Sequence, residues 1–392
     1  MAGSWTLVIA GNKESMSYGV IHWTLVNILI EITNIFPNSS LPQESKWTTE
    51  PAWCRVTVDL KPAAEKRRAQ KVAAVHKLIE ELGKQGALRA AETEGDRRAV
   101  EAAISYMSDE EAGIGFLYSG WCQAALPHKK LADDAIWKVQ TERVTLVVEP
   151  GRRNLLGDDM QFVGVPYGSR ARLILLYLQS EALRTSSRDI ELGRSLHAWL
   201  GRLGIPIGGK SFKDVREQAD RLSRCRLTFH VQQGGRAGLI NQNIVDAAMF
   251  VAGDDGQQES LFVETARLSE TFYEQLKKHP VPLEEPAIKA ISNNSQALDV
   301  YCWLAYRLHV LPAARTITWP SLFAQFGSSY KKLAHFKMRF VDSLKVAVAV
   351  YPDADVDLDE RGLIIKPSAP PVAPRLIAMN GATIARVQGP KT

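Results

Sequence analysis

Four cysteines, at positions 54, 122, 225 and 302 of 392, are too few and too widely spaced for a disulfide framework or a zinc knuckle. Histidine is also scarce. None of the eight falls in an H-x-H or H-E-x-x-H pattern, which excludes the metal site of a metal-dependent nickase or a zinc hydrolase. Without such a metal, Tyr167, Tyr177 and Tyr273 have no evident role as nucleophiles and read as packing residues with a polar tip. His197, between Leu196 and Trp199, reads as a core or boundary residue. A membrane-length apolar run is missing too. The most apolar stretch, Gly19 to Phe36, is broken by His22, Asn27, Glu31 and Asn34 and falls short of the roughly 20 residues a span needs. A carboxylate at mid-bilayer costs about 2.5–3.5 kcal/mol on insertion scales. The same stretch has neither a basic leader nor a small-residue cleavage site. Residues 1–55, compositionally foreign to the rest, are read as a divergent, disordered extension, with Met16 as an alternative start.

What is present suits a folded, cytoplasmic protein: 45% hydrophobic residues are ample for cores, and the length allows two or three domains. The net charge is only +5, but it is unevenly placed. Pro166 to Arg236 holds thirteen Arg or Lys against six Asp or Glu, a surplus of seven (13 minus 6), so the remainder is slightly acidic (5 minus 7). Concentrated positive charge is what phosphate binding needs, because each neutralised phosphate releases condensed counterions. No cofactor, no metal and no catalytic constellation is indicated, and the expectation is a binding protein rather than an enzyme.

Within that basic stretch the hydrophobic period changes in a definite order. Arg170 to Leu183 suits a buried helix, Arg188 to Leu192 alternates like a short strand, and Ser195 to Leu203 reads as a second helix ended by Gly204 and Pro206. Ser211, with Asp214 three residues on, signals a capping box opening a third helix. Phe212, Val215, Ala219 and Leu222 line one face of that helix. Arg226 to Gln232, a turn over residues 234–238, and Leu239 to Val245 complete a hairpin. Helix, strand, two helices and a hairpin is the order of a winged helix, in which the third helix enters a groove. The order recurs. Gln296 to Leu308 is an apolar helix, Arg315 to Trp319 a strand, Pro320 a first helical position and Gly327 a helix stop. Leu333, Phe336, Phe340, Val341, Leu344 and Val348 then share one helical face, and Asp355 to Lys366 reads as a hairpin turning at Glu360, Arg361 and Gly362. The fold class expected is therefore α+β, with two tandem winged-helix modules, a helical N-terminal region and disordered termini.

The cationic residues left outside the apolar stripes are the candidate DNA contacts. In the first module they are Lys210, Lys213, Arg216, Arg221 and Arg224, with Arg226 and Arg236 for the phosphates beside its wing. In the second they are Lys331, Lys332, His335, Lys337 and Arg339. The second hairpin departs from a basic wing, because Asp353, Asp355, Asp357, Asp359 and Glu360 would repel a phosphate backbone. It is expected to point away from DNA or to touch a basic protein. Upstream, Lys61 to Met107 is charge-rich with helical pattern, packing through Val72, Val75, Leu78, Ile79 and Leu82, with Lys66, Arg67, Arg68 and Lys71 as secondary DNA candidates. Gly113 to Trp121 suggests loops, and Val144 to Val148 a strand.

One string points elsewhere. Gly204 to Ser211 (GIPIGGKS) fits the phosphate-loop pattern G-x-x-x-x-G-K-[ST] letter for letter. Such a loop must leave a buried strand, whereas Ser195 to Leu203 has helical periodicity, and Pro206 stiffens the backbone that would wrap phosphate. A helix-turn-helix turn is the preferred reading, and an ATP-binding helicase loader the lesser alternative.

Longer strings carry a resemblance. VPYGSRARLILLYLQSEA (Val165 to Ala182), the stretch Leu192 to His230, LINQNIVDAAMF (Leu239 to Phe250), the stretch Leu268 to Leu308 and KPSAPPVAPR (Lys366 to Arg375) resemble the plasmid-encoded RepA replication initiators. The likeness extends loosely back to the Lys61 helix and does not include residues 1–55. The resemblance implies binding to repeats (iterons) in double-stranded plasmid origin DNA, opening of an adjoining A·T-rich stretch and recruitment of the host replication initiator and helicase machinery. It also implies a monomer–dimer equilibrium and repression of the protein's own promoter; from the broken apolar run, no membrane partner is expected. The same modules used only to occlude a promoter would make a transcriptional repressor. Five segments are expected: a divergent extension (1–55), a helical or mixed region (56–160), two winged-helix domains (161–265 and 266–368) and a Pro-rich flexible tail (369–392).

Overall fold

The computed structural model describes residues 70–71, 75–110, 113–141, 144–154, 160–192, 198, 200–201, 205, 209–233, 236–251 and 262–373. The expected N-terminal extension, the end of the tail, most of the expected helix Ser195 to Leu203 and most of the glycine-rich string lie outside those residues. So do Lys66, Arg67 and Arg68. The described part falls in one unit, Arg68–Thr392, with mixed helix and sheet, in agreement with the α+β expectation.

Gln70–Lys71 form β1, followed by α1 (Val75–Ala90) and α2 (Glu94–Met107). α1 is broken at Gly83, whose φ of 69° is left-handed backbone that glycine adopts without steric cost. α2 opens on a capping box: the Asp96 amide donates to Thr93 Oγ1 at 3.1 Å, and the Thr93 amide donates back to Asp96 Oδ2 at 3.2 Å. Next come β2 (Ile114–Tyr118) and α3 (Ser119–Gln123), where loops were expected. They are ordered because burial claims them: Leu117, Tyr118, Trp121 and Cys122 are all core residues. Strands β3 (Trp137–Gln140), β4 (Val144–Glu149), β5 (Arg152–Asn154) and β6 (Met160–Phe162) lead into α4 (Gly168–Thr185) and β7 (Asp189–Glu191).

Ala198, Leu200 and Gly201 are helical. α5 (Gly209–Arg224), β8 (Arg226–Gln233), β9 (Arg236–Asn243), β10 (Val245–Val251) and β11 (Phe262–Leu268) follow. α5 begins two residues before Ser211, so that serine lies within the first turn rather than at the cap the sequence suggested. The rest of the unit is α6 (Glu270–Lys278), β12 (Pro280–Glu284), α7 (Glu285–Ile291), α8 (Ser295–Arg307), β13 (Arg315–Thr318), α9 (Trp319–Phe326), α10 (Leu333–Val348), β14 (Val356–Leu358) and β15 (Gly362–Ile365).

Every strand pair among the described residues is antiparallel. Two sheets repeat one plan. β7, the strand after α4, pairs with β11, which pairs with β10; β13, the strand after α8, pairs with β15, which pairs with β14. Each segment is also entered by a strand and a short helix, β2–α3 or β12–α7. Those two entry strands pair with each other, from Pro280 opposite Tyr118 to Glu284 opposite Ile114.

The hairpin expected as the first module's wing exists, but it has other partners. β8 and β9 pair with each other, and β8 continues onto β4, from Val144 opposite Val231 to Glu149 opposite Arg226. The hairpin that reaches β7 is the next one, β10–β11. The physical reason is complementarity at long range. β4 alternates buried Val144, Leu146 and Val148, β8 offers buried Leu227 and Phe229, and their joint apolar face closes on Tyr118 and Trp121, which meet Phe229 edge-on. The turn is also tighter than expected, since Arg236 already belongs to β9.

α4 and α8 are the central helices. Residues 171–180 of α4 and 296–305 of α8 are all buried, and a helix hydrophobic all round belongs in a core. They are joined by a buried bidentate ion pair. Arg172 Nε and Nη2 donate to the two oxygens of Asp299 at 2.6 and 2.7 Å, and the guanidinium is completed by the carbonyls of Leu126, Pro127 and Gly168. Beside it His128 lies 3.8 Å from Asp299 and 3.0 Å from Ser295 Oγ. Asp299 attracts a proton to His128, but burial and the adjacent Arg172 charge outweigh it, and the imidazole pKa falls to about 4.

Candidate nucleic-acid interface

α10 shows how one sequence makes two surfaces. Phe336, Phe340, Leu344 and Ala347 are buried, with Phe336 and Phe340 packed against Phe323, Phe326 and Trp319 of α9. The C-terminal half docks on α2, where Lys345 Nζ meets Asp96 Oδ1 at 2.6 Å. The N-terminal half is left to solvent. Lys331, Lys332, Ala334, His335, Met338 and Arg339 are exposed, and Lys337 is half-buried with its ammonium 5.0 Å from the centre of the Trp319 ring. Four of the five candidate contacts read from the sequence thus lie open around the first turns of one helix. α9 leads into it through Gly327, whose amide donates to the Phe323 carbonyl at 2.8 Å. A Cβ at Gly327 would come within 2.5 Å of that carbonyl oxygen, so glycine is required for the close approach.

α5 divides its cations differently. Lys210 and Lys213, in the first turns, are exposed, as is Arg226 at the start of β8; Arg216 is half-buried. Arg236 is the first residue of β9, paired with Gln233. Arg221, a proposed contact, is 4% exposed and therefore structural. Its guanidinium donates to Glu217 Oε1, to Asp133 Oδ1 at 3.2 Å and to the Val165 carbonyl at 3.1 Å, and it stacks 5.3 Å from the centre of the Tyr167 ring. Arg224 is drawn inward as well. Its Nε meets Asp220 Oδ1 at 2.7 Å, while Arg153 holds the other oxygen of the same carboxylate. These arginines were placed on an outward face because helical spacing alone puts them opposite the apolar stripe. The residues that cover that face come from the 133–167 segment, with no sequence proximity to announce it.

The acidic hairpin of the second segment is neutralised from within. Lys366 Nζ meets Asp355 Oδ1 at 3.0 Å and Asp357 Oδ2 at 2.7 Å, and Asp359 accepts from the amides of Arg361 and Gly362 at 2.8 Å in the turn. β1 lies against β14 on the outside, with Lys71 opposite Asp357. Among the charged residues there, only Asp353, Glu360 and Arg361 are exposed.

The phosphate-loop string lacks the required setting. The described residues before it are helical, and no parallel sheet occurs among the described residues for a loop to leave. Cys122, Cys225 and Cys302 are buried, and burial raises each thiol, that of Cys225 to about 12. No group of His, Cys, Asp and Glu among the described residues is placed to hold a metal ion, and no helix there is long and apolar enough to cross a membrane.

No curated protein matches the chain. Among solved structures it is similar to domains 2 and 3 of RctB in a selenomethionine derivative: 11% identity, TM-score 0.42, covering 64% of this chain and 98% of that one. A second RctB domains 2–3 structure, RctB-155-483, gives 12% identity and a TM-score of 0.38 over 63% and 96%. Four of the five sequence strings that carried the family resemblance have a direct counterpart, for residues 165–321 match the family described as plasmid encoded RepA protein. That span runs from α4 through the start of α9 and takes in the first cationic helix and both central helices; over it, the chain is similar to the plasmid encoded RepA family.

Proposed function

We propose that this protein is a plasmid replication initiator whose two repeated segments are winged-helix modules that dock double-stranded origin DNA. The observation that carries the reading is the repeated topology combined with the position of the exposed cations. In each segment a hairpin closes on the strand after the first helix, and in each the exposed Lys and Arg gather at the N-terminal turns of the last helix before that hairpin. A helix N-terminus adds the positive end of its dipole to those charges, and this is the end that groove-reading helices present to DNA. The β10–β11 hairpin, not β8–β9, is then the first wing. The family match over residues 165–321 supports the initiator role over simple promoter occlusion.

On this reading the protein binds iterons, helps open adjoining A·T-rich DNA and recruits the host initiator and helicase machinery in the cytoplasm. A dimeric form represses its own promoter. Nucleotide hydrolysis has no part in it. The test is footprinting on the DNA that flanks the gene. Regularly spaced protection over tandem repeats is the expected result. A lone inverted repeat over a promoter would instead make the protein a repressor.

A further inference from the structure

Among large apolar side chains, Met338 stands out by its exposure: 65%, more than Ile136, Met160 or Leu82. It is not at a loop tip or a fraying end. It lies within α10, one turn beyond His335, nearly two turns beyond the N-cap Lys332 and next to Arg339, all exposed, with half-buried Asp342 one turn further on, while its neighbours Phe336 and Phe340 are fully buried. An apolar side chain that helical spacing aims outward beside the cations of the first turns gains nothing from the fold, so its value lies in what that surface meets. The surrounding charges select a polyanion. On the major-groove edge of DNA the one apolar group is the 5-methyl of thymine, and an unbranched thioether is flexible enough to cover it.

We propose that Met338 is a specificity-determining residue that reads one or two thymine methyl groups, flanked by phosphate contacts from Lys331 and Lys332 and by polar base contacts from Arg339 and His335. This rests on the DNA-docking reading above and adds to it the base that α10 prefers. The arrangement divides the labour. Cations set affinity for any duplex, whereas Met338 contributes only where a methyl group is presented.

The experiment starts from the tightest-binding duplex selected from a random pool with the full chain. Each thymine in that duplex is then replaced singly by uracil, which keeps the pairing and removes the methyl. Wild type should lose about fourfold in affinity at one or two defined positions, the effect of uncovering one buried methyl-sized group. Met338→Ala should bind the parent duplex more weakly by a similar factor, be indifferent to uracil at those positions, and keep the salt dependence of wild type. Because the side chain is exposed, the variant should keep its thermal midpoint, which is checked in parallel. The proposal is overturned if uracil is neutral everywhere for wild type, or if Met338→Ala keeps the same sensitive positions. Failure to select any duplex would instead remove the DNA-docking reading, and this inference with it.

Discussion

Lys213 and Arg221 share one helix and one formal charge, yet they do different work. Lys213 is exposed, and its ammonium meets no hydrogen-bond or ion-pair partner among the described residues; Arg221 is buried and supplies donors to Glu217, Asp133 and the Val165 carbonyl. The two alanine variants should therefore separate stability from DNA affinity. Lys213→Ala is expected to leave urea stability unchanged and to reduce the slope of log affinity against log salt by about 0.9, one phosphate contact. Arg221→Ala should leave that slope unchanged and lower stability by on the order of 2 kcal/mol, since the carboxylates it leaves behind are half-exposed and rehydrate. A normal slope for Lys213→Ala would remove it from the interface. The cation itself was legible in the sequence, but whether it meets solvent or Asp133 was not, because that depends on a segment eighty-odd positions upstream.

At the level of elements, the order of the central helices and the strands that follow them came from hydrophobic period and punctuation. α4, β7, α8, β13, α9 and α10 lie within a few residues of where the pattern places them, and Gly327 stops α9 as its position requires. Caps finish such helices and can be weighed. The Asn294 side chain accepts from the Ala297 amide at 3.0 Å at the start of α8, so Asn294→Ala should cost about 1 kcal/mol and Asn294→Gly only a few tenths in urea unfolding. An equal loss for both would show that backbone strain, not the cap, is at stake. Partner choice among strands was less legible. The sequence marked only β8–β9 as the hairpin of the first segment, yet β10–β11 is the one that pairs with β7, since alternation marks a strand but does not say which apolar face it completes. The acidic hairpin likewise read as repulsive because Lys366, its internal counter-charge, follows the turn rather than sitting within it.

At the scale of the whole unit, the two repeated segments share a single hydrophobic core, paired entry strands and the buried Arg172–Asp299 bridge. One cooperative unfolding transition is expected, with tryptophan fluorescence and far-UV circular dichroism coincident in urea. Asp299→Ala, which strands a buried guanidinium, should lower stability by about 3–5 kcal/mol. Two resolved transitions in the wild type would show that the segments fold separately. The same junction sets an acid limit. The folded state holds the His128 pKa at about 4, below its ordinary value of 6.5, so the unfolded chain takes up the proton first. The resulting stability is complete above about pH 6.5 and is lost as pH falls toward 4, and His128→Gln should flatten the urea midpoint across that window.

The chain's own order of residues determined the repeated pairing of a buried helix with a short strand (α4–β7 and α8–β13), the family strings and the cationic stretch, because periodicity, helix stops and local charge are properties of neighbours along the backbone. Tertiary structure alone decided which hairpin closes on β7 and which arginines are held by carboxylates. Those outcomes depend on apolar faces and charges from distant segments meeting across the core, and a linear pattern has no term for that encounter.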